Sequence, residues 1–115
     1  MASIRWDKNV KYKNYKRDAD GFIVPDIERT IQIAKFQPSS NAEVRDEDGT
    51  ISREYLCIAS IQPNIKEVDR IQRGAEVVID KRQYIVSNIE PFEFEGNVSN
   101  NVSLTLRQKL RISSG

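Results

Sequence analysis

Histidine is missing from this 115-residue chain, and cysteine occurs once, at Cys57. Without imidazole there is no Ser-His-Asp or Cys-His arrangement and almost no haem or zinc ligand set. A lone thiol excludes a disulfide framework and a cysteine-built zinc site. Apolar runs are short, far below the ~18 residues of a membrane-spanning helix. Met1-Ala2-Ser3-Ile4-Arg5-Trp6 carries no signal-peptide apolar stretch, so the expectation is a soluble protein made in a cytoplasm, with no membrane partner. Eighteen Lys and Arg against seventeen Asp and Glu leave a net charge of +1, unlike the basic excess of a generic polyanion binder. Neither a phosphate-cradling glycine loop nor a nucleophile elbow is present. No cofactor is implied.

Leucine is also scarce: four Leu and six Ala stand against fourteen Ile and nine Val. Beta-branched side chains lose rotamer freedom on a helix and pack well on a pleated surface. The chain therefore reads as mainly β, a small antiparallel β-barrel or sandwich with at most one short helix. About seven strands are expected, separated by turn signals.

Asn9–Lys16 alternates Val10, Tyr12 and Tyr15 with lysines, and Asp18-Ala19-Asp20-Gly21 follows as a turn. Arg29–Phe36 places Ile31 and Ile33 on one face, and Gln37-Pro38-Ser39-Ser40-Asn41 is expected to break it. Asp46-Glu47-Asp48-Gly49 signals a hairpin between Glu43–Arg45 and Ile51–Arg53. Arg53–Ile61 puts Tyr55, Cys57, Ala59 and Ile61 on one face and Leu56 and Ile58 on the other, as in a strand covered on both sides. Residues 64–73 predict the one helix, with Asn64 as N-cap, Glu67 answering it and Gly74 closing it. Glu76–Asp80 and Gln83–Ile89 form a hairpin that Pro91 should end, Glu93–Asn97 should be loop, and Asn101–Leu110 is the last strand. The expected division is an N-terminal extension or arm with the first strand (1–28), one barrel-like domain (29–112) and a frayed tail (113–115).

Charge is segregated although it nearly cancels. Residues 1–17 are basic, clusters at Asp18–Glu28, Glu43–Asp48 and Glu90–Glu95 are acidic, and Arg107, Lys109 and Arg111 are basic again. A chain so divided suits contact between copies, where opposite charges meet. Candidate inter-subunit or partner contacts are Trp6, Lys8, Lys11 and Lys13 with Asp46, Glu47 and Asp48. Aromatics among lysines, as at Trp6, Tyr12 and Tyr15, also match a nucleic-acid stacking surface. Asp46-Glu47-Asp48-Gly49 lacks the spacing of a calcium loop. Glu93 and Glu95 have no neighbouring electrophile, and Cys57 reads as an inert core thiol.

Thr30-Ile31-Gln32-Ile33, the Asp48-Gly49 loop and Ala59-Ser60-Ile61-Gln62-Pro63 together resemble the small head-completion proteins of tailed bacteriophages, the head-closure or stopper proteins of the head–tail connector. Ala75-Glu76-Val77-Val78-Ile79 and Gln83-Tyr84-Ile85-Val86-Ser87-Asn88-Ile89-Glu90-Pro91 continue the likeness, which spans about residues 29–92. The first 28 residues form a longer extension than that family leads one to expect, and the helical reading after Pro63 leaves little room for an extra strand. The resemblance implies a non-enzymatic ring between portal or adaptor and tail, in the virion neck, that closes the head and retains packaged DNA. It implies a homo-oligomer with portal, adaptor and tail proteins as partners, and non-specific contact with DNA. A loop projecting into the channel does the closing in that family; Pro63–Gly74 is the best match, with Lys66, Arg70 and Arg73 as channel-facing candidates. The alternatives are a small β-barrel that binds nucleic acid or a peptide, and a tail-completion or other virion component.

Overall fold

Alternating Ile, Val, Leu and Tyr build eight strands among the residues described in this computed structural model, which are 6, 8–45, 49, 51–62, 64–94 and 97–109. They are β1 (Lys8–Lys13), β2 (Tyr15–Arg17), β3 (Ile23–Pro25), β4 (Arg29–Arg45), β5 (Ile51–Ser60), β6 (Glu76–Ile79), β7 (Arg82–Phe94) and β8 (Asn97–Lys109). Six close into an antiparallel barrel in the order β1-β4-β5-β8-β7-β6, with β6 returning to β1. The barrel expectation is met. β2 and β3 stand apart as a two-stranded ribbon.

The inward positions explain why the sheet closes. Ile33, Val77, Ile79, Val86, Leu104 and Leu106 are all buried to within 1% exposure. A closed barrel leaves no edge along the paired lengths and gives each alternating strand one dry face. Tyr55, Cys57, Ala59 and Ile61 are buried as their spacing requires, and Ile58 on the opposite face is buried too.

Two hairpins run past the barrel at opposite ends. β1 reaches only as far as the Lys8↔Ile33 pair, so β4 and β5 continue beyond it to the Arg45↔Ile51 pair. At the other end β7 and β8 continue past the Ser60↔Asn101 pair to Phe94↔Asn97. The molecule is accordingly long and flat, 51 × 40 × 23 Å.

Three sequence expectations need correction here. The helix over 64–73 is reduced to a 3-10 turn, Glu67–Asp69, flanked by extended Lys66 and Arg70, and the turn has no side-chain cap. Helical hydrogen bonds lose because Tyr12 and Asn14 take the backbone groups of this segment instead. Gln37–Asn41 does not break β4: the surplus residues are absorbed as register shifts between Ala34 and Gln37 and between Pro38 and Glu43. Lys35 takes a left-handed φ of 55° at the first of them, as a bulge residue does. Nor does Pro91 end β7, where it pairs with Val102. Both prolines lie where the strand has a ladder on one side among the described residues, so the missing N–H breaks no second ladder.

The first strand stops at Lys13, and Asn14 separates it from β2. Glu93, Phe94 and Asn97 belong to strands, not to a loop. The turn residues Asp46, Glu47 and Asp48, together with Leu110 and the tail 111–115, lie outside the described residues. Asp80 and Lys81 form the two-residue β6–β7 turn with φ of 51° and 67°, the geometry that normally recruits Asn-Gly or Asp-Gly.

Candidate interaction site

The described residues of the connection between β5 and β6, 61–62 and 64–75, lie across one end of the barrel and are held by side chains from the start of the chain; Pro63 lies outside the described residues. Val10, Tyr12 and Asn14 follow one another on the inward face of β1 and its exit, all buried. The Tyr12 hydroxyl donates to the Asp69 carbonyl at 2.7 Å. Asn14 Nδ2 donates to the Arg70 carbonyl at 2.8 Å, and Asn14 Oδ1 accepts from the Gln72 N–H at 3.0 Å. The Asn14 carbonyl also accepts from the Asp26 N–H at 2.7 Å, which ties in the base of the ribbon. Arg29 completes the join, at 2.9 Å from Asp69 and 3.6 Å from Asp26. Ile71 and Ala75 pack into the core beneath, with Ile65 against it.

Asn14 is the residue that sequence reading missed. Its signal was available: an asparagine two positions after Tyr12 continues the inward face of an alternating strand, where a buried amide must find partners. Burial raises the pKa of Tyr12 above its ordinary value, with Arg29 opposing and Asp69 adding to the rise.

The predicted channel-facing cations share this connection without converging. Lys66 and Arg70 are exposed on either side of the 3-10 turn. Arg73, also exposed, donates from Nε to the Ser87 carbonyl of β7 at 3.3 Å.

The basic N-terminal residues are spread along β1 and largely matched by acids. Lys8 pairs with Asp80, and Lys11 lies 3.3 Å from Glu28. Lys13 is half-buried opposite Glu76 in the register, and Trp6 is half-buried. Lys16 reaches Asp26 at 3.4 Å. The Asp26 carboxyl is held below its ordinary range, first by accepting from the Ile27 N–H, then by Lys16 and Arg29. Asp46, Glu47 and Asp48, the acidic half of the expected contact set, lie outside the described residues.

Exposed apolar side chains are concentrated on the ribbon and around the Arg29–Asp69 pair. Phe22 and Ile23 stand at the ribbon's turn, Ile27 at its exit, and Val68 next to Asp69. On the outer face of β6, β7 and β8 lies a second feature, an open concavity of about 490 Å³ lined by Glu76, Lys81, Gln83, Ile85, Arg107 and Gln108. Among the described residues no group of His, Cys, Asp and Glu is placed to hold a metal ion. The Cys57 thiol is buried and pushed up to about 12, which keeps it protonated and inert.

No family model and no curated protein matches the chain. A solved structure does. Its title is "Virion of native gene transfer agent (GTA) particle", and the likeness covers 92% of this chain and 96% of that one, with a TM-score of 0.64 and 15% sequence identity. The barrel is shared with a virion chain. At that identity the likeness is one of fold, and it extends through nearly the whole of both chains.

Proposed function

We propose that this chain is a non-enzymatic structural protein of a tailed-phage-like virion, assembled as a homo-oligomeric ring in the neck. There it joins portal or adaptor to tail, closes the head and retains packaged DNA. The observation that carries this reading is the end-to-end fold likeness to a chain of a virion particle. It agrees with the sequence resemblance to head-completion proteins over residues 29–92. The surface supports the same reading, because its exposed apolar residues and open concavity offer area for neighbours. Lys66, Arg70 and Arg73 remain the candidates for facing DNA phosphates in the channel.

A nucleic-acid-binding barrel is the weaker reading. Lys8, Lys11 and Lys16 each lie against a carboxylate, so the basic N-terminal stripe is locally neutralised. Phosphate binding draws on uncompensated cations and loses affinity steeply with salt.

The deciding experiment is quantitative mass spectrometry of a source lysate across a density gradient. Co-migration with DNA-filled particles, at a few copies per particle alongside a portal protein, is the expected result. Recovery solely as a light soluble species overturns the neck assignment.

A further inference from the structure

The two overhanging hairpins leave the barrel with ends of unlike charge. The β7–β8 hairpin runs out past the Ser60↔Asn101 pair to Phe94↔Asn97. From Gln83 to Leu106 the sequence holds no Lys, Arg or Asp, and its charges are Glu90, Glu93 and Glu95. Glu90 is exposed and accepts a hydrogen bond from the neutral Asn88 amide at 3.2 Å. Arg73, the cation at the hairpin's root, donates to the Ser87 carbonyl, and Lys66 and Arg70 stay on the β5–β6 connection. The hairpin therefore projects as an acidic arm with no cation of its own.

The opposite end, where β1 begins, carries the other sign. Lys8 continues the inward series of Val10 and Tyr12, and Arg82 continues that of Tyr84 and Val86. Both thus stand over the Phe36, Tyr55 and Tyr84 rings at the mouth of the barrel. Burial raises the Tyr84 pKa above its ordinary value, and besides Tyr55 the charges that bear on its hydroxyl are Arg82, Asp80 and Lys8. Asp80 is paired with Lys8. Lys35, Lys81 and Arg82 are exposed around the same mouth, and none has an ion-pair partner among the described residues. A notch of about 110 Å³, lined by Lys8, Ile33, Ala34 and Phe36, opens beside them. Of the acids on this side, Glu43 is 3.7 Å from Arg53, and Asp46, Glu47 and Asp48 follow Arg45 at the outer end of β4.

One chain thus holds both halves of a contact at opposite ends of its barrel. Such patches meet when copies are laid head to tail, and the arrangement closes into a ring where the rotation permits. The arm is a paired extension of two barrel strands, so little ordering is left to be done on contact. We propose that the acidic end of the β7–β8 hairpin of one copy seats against the Lys8–Arg82 mouth of the next copy. This contact rests on the ring reading and is the joint that would build the ring.

The test places a photo-crosslinking residue at Glu93 of the full chain and mixes copies of light and heavy isotope composition. Expected are crosslinks between light and heavy copies that fall on Lys35–Phe36 or Lys81–Arg82. Crosslinks within one copy, elsewhere on a second copy, or to a different virion protein in intact particles overturn this seat while leaving the ring reading standing. The expected crosslinks in open-ended chains that never close keep the seat and overturn the ring. A wild-type chain that does not self-associate overturns both. Charge exchange supplies a second measurement: Glu90→Lys and Arg82→Glu should each weaken self-association by about fivefold or more, and the double variant should recover much of it. Both side chains are exposed, and urea unfolding of each variant checks that the barrel is intact; Lys35→Glu replaces Arg82→Glu if it is not. Unchanged association in Glu90→Lys rules out this contact.

Discussion

The two ends of the barrel are closed by different physics. At the end where β1 begins, three rings from three strands meet: Phe36 stacks on Tyr55 at 5.1 Å, and Tyr84 meets both edge-on at 5.6 and 5.4 Å. At the end where β1 finishes, an irregular connection is fastened by the amide of Asn14, the hydroxyl of Tyr12 and the Arg29–Asp69 pair. Aromatic closure sets how side chains pack, stacked or edge-on, without fixing any backbone group, whereas hydrogen-bonded closure fixes particular carbonyls. The bonded end is also where the ribbon is rooted, through the Asn14 carbonyl and Asp26. The ribbon is thus rooted at the end whose hydrogen bonds fix the backbone most strictly.

The largest expected effect lies at the aromatic end. Tyr84→Ala removes the ring that meets the other two and should cost about 3–4 kcal/mol in urea unfolding. Asn14→Ala should cost about 2 kcal/mol, because the Arg70 carbonyl and Gln72 N–H lose their partners in a part-buried place. Its signature differs from that of Tyr84→Ala. Amide exchange should accelerate in 61–75 and at the ribbon base while the β5–β8 ladder stays protected. If exchange instead rises evenly over the whole barrel, the two ends are not separately closed.

Tyr12→Phe, which deletes the bond to Asp69 and keeps the ring, should cost about 1 kcal/mol. Lys81→Gly should stabilise by about 0.5–1 kcal/mol, since glycine takes the turn's positive φ without strain. Smallest is the acid response of the ribbon's root. The Asp26 pKa is lowered on folding, so its contribution is complete above the ordinary value of 3.8 and is lost as pH falls through its depressed folded value. An NMR titration of its carboxyl should show a midpoint below 3.8.

The barrel wall was largely legible in the sequence, whereas the aromatic end was not, because Phe36 reaches Tyr55 across a register shift that the alternation does not announce. Tyr55, Cys57, Ala59 and Ile61 alternate without interruption, and the Ile and Val excess points to strands. The hydrogen-bonded end was misread as a helix because Asn64, Glu67 and Gly74 make a valid set of local capping signals. What defeats them is an asparagine 50 residues upstream of Asn64, and local propensity carries no trace of such a partner. Pro38 and Pro91 misled for a related reason. A proline breaks a strand that is paired on both sides, and whether a strand has one neighbour or two is a property of the closed sheet. Of the candidate contacts on β1, Lys8 and Lys11 are paired with acids of the β6–β7 turn and of the segment before β4, neighbours that linear order does not place beside them.

Barrel closure also sets an order of events during folding. Lys11 pairs with Val78 to seal the sheet, 67 residues along the chain, whereas β4–β5, β6–β7 and β7–β8 are local hairpins. Loop-closure entropy favours the hairpins first and delays the long-range seam. On a ribosome the first strand must therefore wait, unpaired on that side, until β6 has been synthesised. The charges along Lys8–Lys13 then have a use while the chain is still being made, keeping a waiting β-strand soluble and discouraging its edge from joining another chain.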